Sequence, residues 1–193
     1  MRPLVLASTS PYRLQLMRQL QLSFHVAAPL YQERLDSSVA PELLVKHQAL
    51  HKAKSLRDKY PDALIVGSDQ VFVDARSRVL GKPGSAEKAI EQLREMQGRR
   101  HTFYTGLAVF DAASGEQSVD YSTFSVSLRK LSDEQIARYV QQENPVDCAG
   151  SFKVEGLGIA LMEELEGTDY TTLIGLPLIR LVDMLKEFGV EVL

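Results

Sequence analysis

With 193 residues, 45% hydrophobic and 24% charged, the chain has the composition of an ordered globular protein and excludes a disordered or low-complexity one. Its formal net charge of −3 gives no general attraction to nucleic acid or to an anionic membrane, so any phosphate site must be local. No apolar run approaches the roughly 20 residues of a membrane span, no signal-peptide pattern opens the chain, and the single Cys148 rules out an intramolecular disulfide; the expectation is a cytoplasmic protein in which Cys148 is a small buried residue.

The first element is "LVLA", a short buried strand that runs through the polar turn Ser8-Thr9-Ser10 into a helix, with Ser10 as cap and Pro11 as first helical residue. Arg13 is the third helical residue, where a capping box takes Glu or Gln and the helix dipole favours an anion. An external anion on the free amides would turn Arg13 and the hydroxyls of Ser8 and Ser10 into ligands. "LSFHVAAP" reads as a second strand and "LYQERLDSS" as a loop carrying Glu33. Pro41 to Tyr60 reads as a helix with Val45, Ala49, Ala53 and Leu56 in one stripe. Lys52 shares that stripe, either snorkelling from its edge or serving the site.

"ALIVGSDQVFVD" is the strongest strand, and Asp69 interrupts it. An ionised carboxylate there needs compensation by a metal, a cation or a function; the alternative is a strand-end carboxylate bonding the next turn. "GKP" forms a turn carrying Lys82, which reads either as a solvated lysine or as a ligand. Ser85 caps a helix ending at Gly98, "TFYTGLAVFD" and "STFSVSLRKL" make an antiparallel pair, and Ser132 with Gln135 forms a capping box. In "GSFKVEGLG", Lys153 and Glu155 alternate on one face of an extended segment, which equally fits a polar strand face. Pro177 opens a last amphipathic helix closed by Gly189. The alternation of strands and helices predicts one α/β domain over residues 1–193, a mixed sheet with helices packed on it.

Arg13, Lys52 and Lys82 supply cations from three elements, and Asp69 and Glu33 supply carboxylates for a divalent metal. A polyphosphate needs this mixture: cations neutralise its oxygens, a hard metal bridges them, and a carboxylate positions or deprotonates water. The phosphate-loop and serine-hydrolase motifs are absent. Residue chemistry alone therefore reaches a metal-assisted phosphate-ester or anhydride enzyme.

The segments "LASTSPYR", "GSDQV", "GKP" and "CAGSFKVEGLG", in this order along the whole chain, resemble the Maf family of nucleoside triphosphate pyrophosphatases. "SDQV" in place of the "ADTVV" of the dTTP/UTP-cleaving branch, with an aromatic after "SP", resembles the YceF-type branch that acts on 7-methyl-GTP. The resemblance implies a central mixed sheet with flanking helices, two lobes around a deep cleft as in the inosine-triphosphatase architecture, and commonly a homodimer. It also implies Asp69 as general base, with Mg or Mn as metal. Ser8, Ser10, Arg13, Lys52 and Lys82 would lie along the phosphates, and Tyr12, Gln70 and Glu155 would choose the base. Gln32-Glu33 stands where many relatives carry Asp-Glu, so that loop keeps one carboxylate. The substrate implied is a small nucleotide, with neither a nucleic acid polymer nor a membrane as partner. The alternatives are a dTTP/UTP pyrophosphatase and a nucleotide-binding regulator of septum formation that acts without significant turnover.

Overall fold

A computed structural model describes residues 2–32, 36 and 38–193. The chain divides into two compact units: residues 1–70, 104–123 and 169–193 form the first, and residues 71–103 and 124–168 the second. Strands β1 (Leu4–Ala7), β2 (His25–Ala27), β3 (Leu64–Val73), β4 (Val79–Leu80), β5 (Arg100–Asp111), β6 (Gln117–Leu128) and β7 (Met162–Glu166) pair in the order β2-β1-β3-β5-β6-β7, with β4 on β3. The sheet is mixed, because β1 runs parallel to β2 and β3 while β4 and β7 run antiparallel to their partners. The β5–β6 hairpin expected from sequence is present. In the first unit Asp111 N–H donates to Glu116 O, and in the second Leu128 N–H donates to Arg99 O.

In the first unit, period-2 alternation assigns the two sheet faces. Leu4 and Leu6 of β1, with Leu64 and Val66 of β3, join Leu16 and Met17 of helix α1 (Pro11–Gln19) and the apolar stripe of the C-terminal helix (Leu178–Glu187) in one core. Val5, Ala7 and Ile65, on the opposite face, pack with Ala53 of α2 (Pro41–Lys54) and with Leu56. Helix α2 lies directly on the backbone of two strands. A Cβ on Gly67 of β3 would stand 2.1 Å from Ala49 O, and one on Gly106 of β5 would stand 2.1 Å from Val45 O.

Two expectations from sequence need shortening. The second strand covers only His25–Ala27, because Leu22 and Phe24 pack against the first core instead of continuing the ladder. Helix α2 stops at Lys54, six residues before Tyr60. The Ser55 hydroxyl donates to Lys52 O at 2.7 Å and accepts from Leu30 N–H at 2.9 Å, a local competition with the helix that serine often wins.

In the second unit, helix α3 (Ala86–Met96) starts at the Ser85 cap, and helix α4 (Asp133–Glu143) has both bonds of the expected Ser132/Gln135 capping box. Phe72, Phe103 and Phe152 meet edge-to-face, and His101 stacks on Phe72. His101 Nε2 lies 2.8 Å from Met96 O and Nδ1 accepts from Ala75 N–H at 3.2 Å, which fixes the neutral Nε2–H tautomer; burial pushes its pKa down. Cys148 is half-buried rather than enclosed, and burial raises its thiol pKa, so it stays a protonated and poor nucleophile. Among the described residues no helix is long and apolar enough to cross a membrane.

Candidate active site

In the first unit the candidate residues gather where β1 and β3 end their parallel pairing. Ala7 pairs with Gly67, so the Ser8–Ser10 turn leaves the sheet in register with Ser68 and Asp69. Ser8 is buried, and its Oγ accepts from Ser10 N–H at 3.1 Å. Ser10 caps α1 by accepting from Arg13 N–H at 3.4 Å, and no acidic residue occupies the first turn of α1. The positive end of that helix is therefore not offset by its own side chains.

Asp69 is 4% exposed and Lys52 3% exposed, with Lys52 Nζ 2.6 Å from Asp69 Oδ1 and 3.4 Å from Ser68 O. This settles two alternatives left open by periodicity. Lys52 does not snorkel to solvent, and Asp69 is a carboxylate inside the strand held by a buried ammonium rather than a strand-end cap. Gly67 and Gly106 bring this about, since only their lack of side chains lets α2 lie close enough to aim Lys52 at β3.

Arg13 plays a structural part that sequence did not show. Its Nε donates to Gly175 O at 2.8 Å, and Ser68 Oγ lies 2.9 Å from both Gly175 O and Gly106 O. Gly175 adopts φ +116° at the end of a short helix (Thr171–Ile174), a conformation that favours glycine and turns its carbonyl toward both donors. The cation at a poor helical position is thus tied to the C-terminal segment, and a Glu there would lose this bond.

Gln70 Nε2 donates to Thr105 Oγ1 at 2.9 Å and to Thr172 O at 2.8 Å, with Leu173 O at 3.2 Å. Its amide nitrogen is committed to the protein, so the acceptor Oε1 is the end a ligand can use. Tyr12, on the first turn of α1, is 39% exposed. Glu33 lies outside the described residues. Sequence reasoning missed Ser68, Thr105, Thr172 and Gly175. None of them carries charge, and only the glycine inside the apolar "LIVGSD" run signalled a close approach.

In the second unit Lys82 is exposed between β4 and the Ser85 cap. Lys153 and Glu155 do not lie on an extended face. Residues 149–151 and 157–161 form 3₁₀ turns, and Gly156 and Gly158 N–H both donate to Lys153 O. Helix α4 holds this turn. Tyr139 Oη accepts from Lys153 N–H at 3.0 Å, Lys153 Nζ donates to Glu143 O at 3.3 Å, and Glu143 Oε2 accepts from Leu157 N–H at 2.7 Å. Burial pushes the Tyr139 phenol pKa up, keeping the hydroxyl protonated. Glu155 remains exposed.

A family model described as Maf-like protein matches residues 3–188. The chain belongs to the Maf family. A Syntrophotalea carbinolica protein called 7-methyl-GTP pyrophosphatase is 68% identical over 193 residues, covering all of this chain and 98% of the relative. A Pseudomonas putida protein of the same name is 51% identical, with both chains fully covered. Among solved structures, the Staphylococcus aureus Ham1 protein matches with a TM-score of 0.54 over 98% of this chain and 100% of its own, at 14% identity, which is a likeness of fold. The mixed α/β architecture expected of a Maf protein is therefore present.

Proposed function

We propose that this chain is a nucleoside triphosphate pyrophosphatase that hydrolyses 7-methyl-GTP to 7-methyl-GMP and pyrophosphate, removing modified nucleotides in the cytoplasm. The observation that carries the chemistry is the buried Lys52–Asp69 pair beside the helix N-terminus that Ser10 caps. A carboxylate kept ionised there can orient a water and take its proton as that water adds across the α–β anhydride, with pyrophosphate as leaving group. In this reading the amides and hydroxyls of the Ser8–Ser10 turn, Arg13 and Lys52 meet phosphate oxygens. The name shared by the full-length relatives supports the substrate.

A divalent metal belongs to the proposal. Among the described residues no group of three or more His, Cys, Asp or Glu forms a ready-made cage. Asp69 is a hard oxygen donor, and Mg or Mn commonly takes one or two carboxylates together with substrate phosphates; Asp69 and Glu33 would be those carboxylates. Such an ion would neutralise charge on the triphosphate.

For the base, methylation at ring nitrogen 7 makes guanine cationic, so an aromatic face and a carboxylate favour it over plain guanine. Tyr12 is proposed for the aromatic face, while Gln70 Oε1 accepts from a guanine N–H. A wrong base leaves such polar groups unpaired, which discriminates strongly. Tyr12→Ala is expected to lower the preference for 7-methyl-GTP over GTP and UTP by roughly tenfold or more, while cleavage itself persists. The check is the ratio of kcat/KM for the three nucleotides in the variant, and ratios equal to the parent's would remove Tyr12 from base choice.

A further inference from the structure

His47 and His51 of α2 lie one turn apart, off the stripe that carries Val45, Ala49 and Lys52 inward. His47 is exposed and His51 half-buried. Their ring centres stand 4.1 Å apart with the planes tilted by 37°, and Tyr31 stacks on the far ring, His51, at 5.4 Å. Two imidazoles held this close repel if both are protonated, whereas one ion that takes a lone pair from each is favoured by the same closeness. Two rings bound through nitrogen to one metal at about 2.1 Å have centres about 4.6 Å apart at a right angle and about 5.3 Å apart at the tetrahedral angle, so the pair here needs to open only by about 0.5 to 1 Å. The helix fixes the two Cα positions, and the Tyr31 stack limits His51 rotation, so little ordering remains for an ion to impose.

We infer that His47 and His51 form a surface site for a borderline transition-metal ion of the Ni2+, Cu2+ and Zn2+ class, distinct from the carboxylate chemistry of Asp69. Imidazole nitrogens select such ions, while Mg2+ prefers oxygen. The remaining coordination positions face solvent and take water. An ion bound there clamps the last turns of α2, the segment that also carries Lys52.

Untagged protein titrated with Ni2+ by calorimetry tests this, with His47→Gln, His51→Gln and, as a control, His25→Gln, which alters another exposed histidine. The wild type and His25→Gln should bind one Ni2+ equally, and His47→Gln and His51→Gln should each bind at least tenfold more weakly, with excess Mg2+ making no difference. Imidazole nitrogen NMR of the wild type with Zn2+ gives a readout that needs no variant: the His47 and His51 signals should shift together while buried His101 stays put. Unchanged Ni2+ affinity in either variant, displacement by Mg2+, or shifts confined to other histidines would overturn the assignment.

Discussion

Asp69→Asn is expected to lose about 10²-fold or more in turnover and, in addition, about 3 to 5 kcal/mol of stability. The first loss follows from removing the base; the second follows from Lys52. Asn keeps the shape of Asp69 but removes the carboxylate charge 2.6 Å from a 3%-exposed ammonium, and breaking a buried ion pair from one side costs far more than the intact pair contributes. The two effects separate in Lys52→Met/Asp69→Asn, where an apolar side chain replaces the ammonium. Its urea midpoint should return most of the way to the parent's while turnover stays low. Recovery of turnover along with stability would make Asp69 a structural partner of Lys52 rather than the base.

Gly67→Ala should be nearly as damaging, although it adds one methyl group. Its Cβ would sit 2.1 Å from Ala49 O and 3.0 Å from Ala53 N, and an ordinary carbon–oxygen contact is about 3.3 Å or more. Helix α2 would have to lift off β3, at the upper end of the roughly 1 to 3 kcal/mol that overpacking costs. In a chain of this size that lowers Tm by about 6 to 12 °C. Lifting α2 also moves Lys52 away from Asp69, and a misplacement near 1 Å can lower turnover by about 10²-fold. Because the clash is with main-chain atoms, adding Ala49→Gly should rescue neither quantity. Thermal melts and turnover of the single and double variants check this, and rescue by Ala49→Gly would show that side-chain crowding is responsible.

The elements with strong local signals were legible in the sequence. The β3 run, the Ser85 cap, the Ser132/Gln135 box and the Pro177–Gly189 helix depend on neighbours a few residues away, and each stands where periodicity and capping chemistry put it. The features that were misread are settled by distant partners. Arg13 looks misplaced until Gly175, 162 residues on, accepts from it. The "GSFKVEGLG" segment reads as extended until the side chains of Tyr139 and Glu143 capture the backbone N–H groups of Lys153 and Leu157. Asp69 and Lys52 could each be singled out from sequence, one as a carboxylate in an apolar strand and the other as a cation in an apolar stripe. That each compensates the other depends on the glycines that seat α2, which no spacing rule encodes.

The most direct test of the account is the product balance of purified protein given 7-methyl-GTP with Mg2+ or Mn2+. The prediction is one 7-methyl-GMP and one pyrophosphate per substrate consumed, at a kcat/KM above those for GTP and UTP. Tight binding of 7-methyl-GTP without turnover, or release of orthophosphate in place of pyrophosphate, would contradict it.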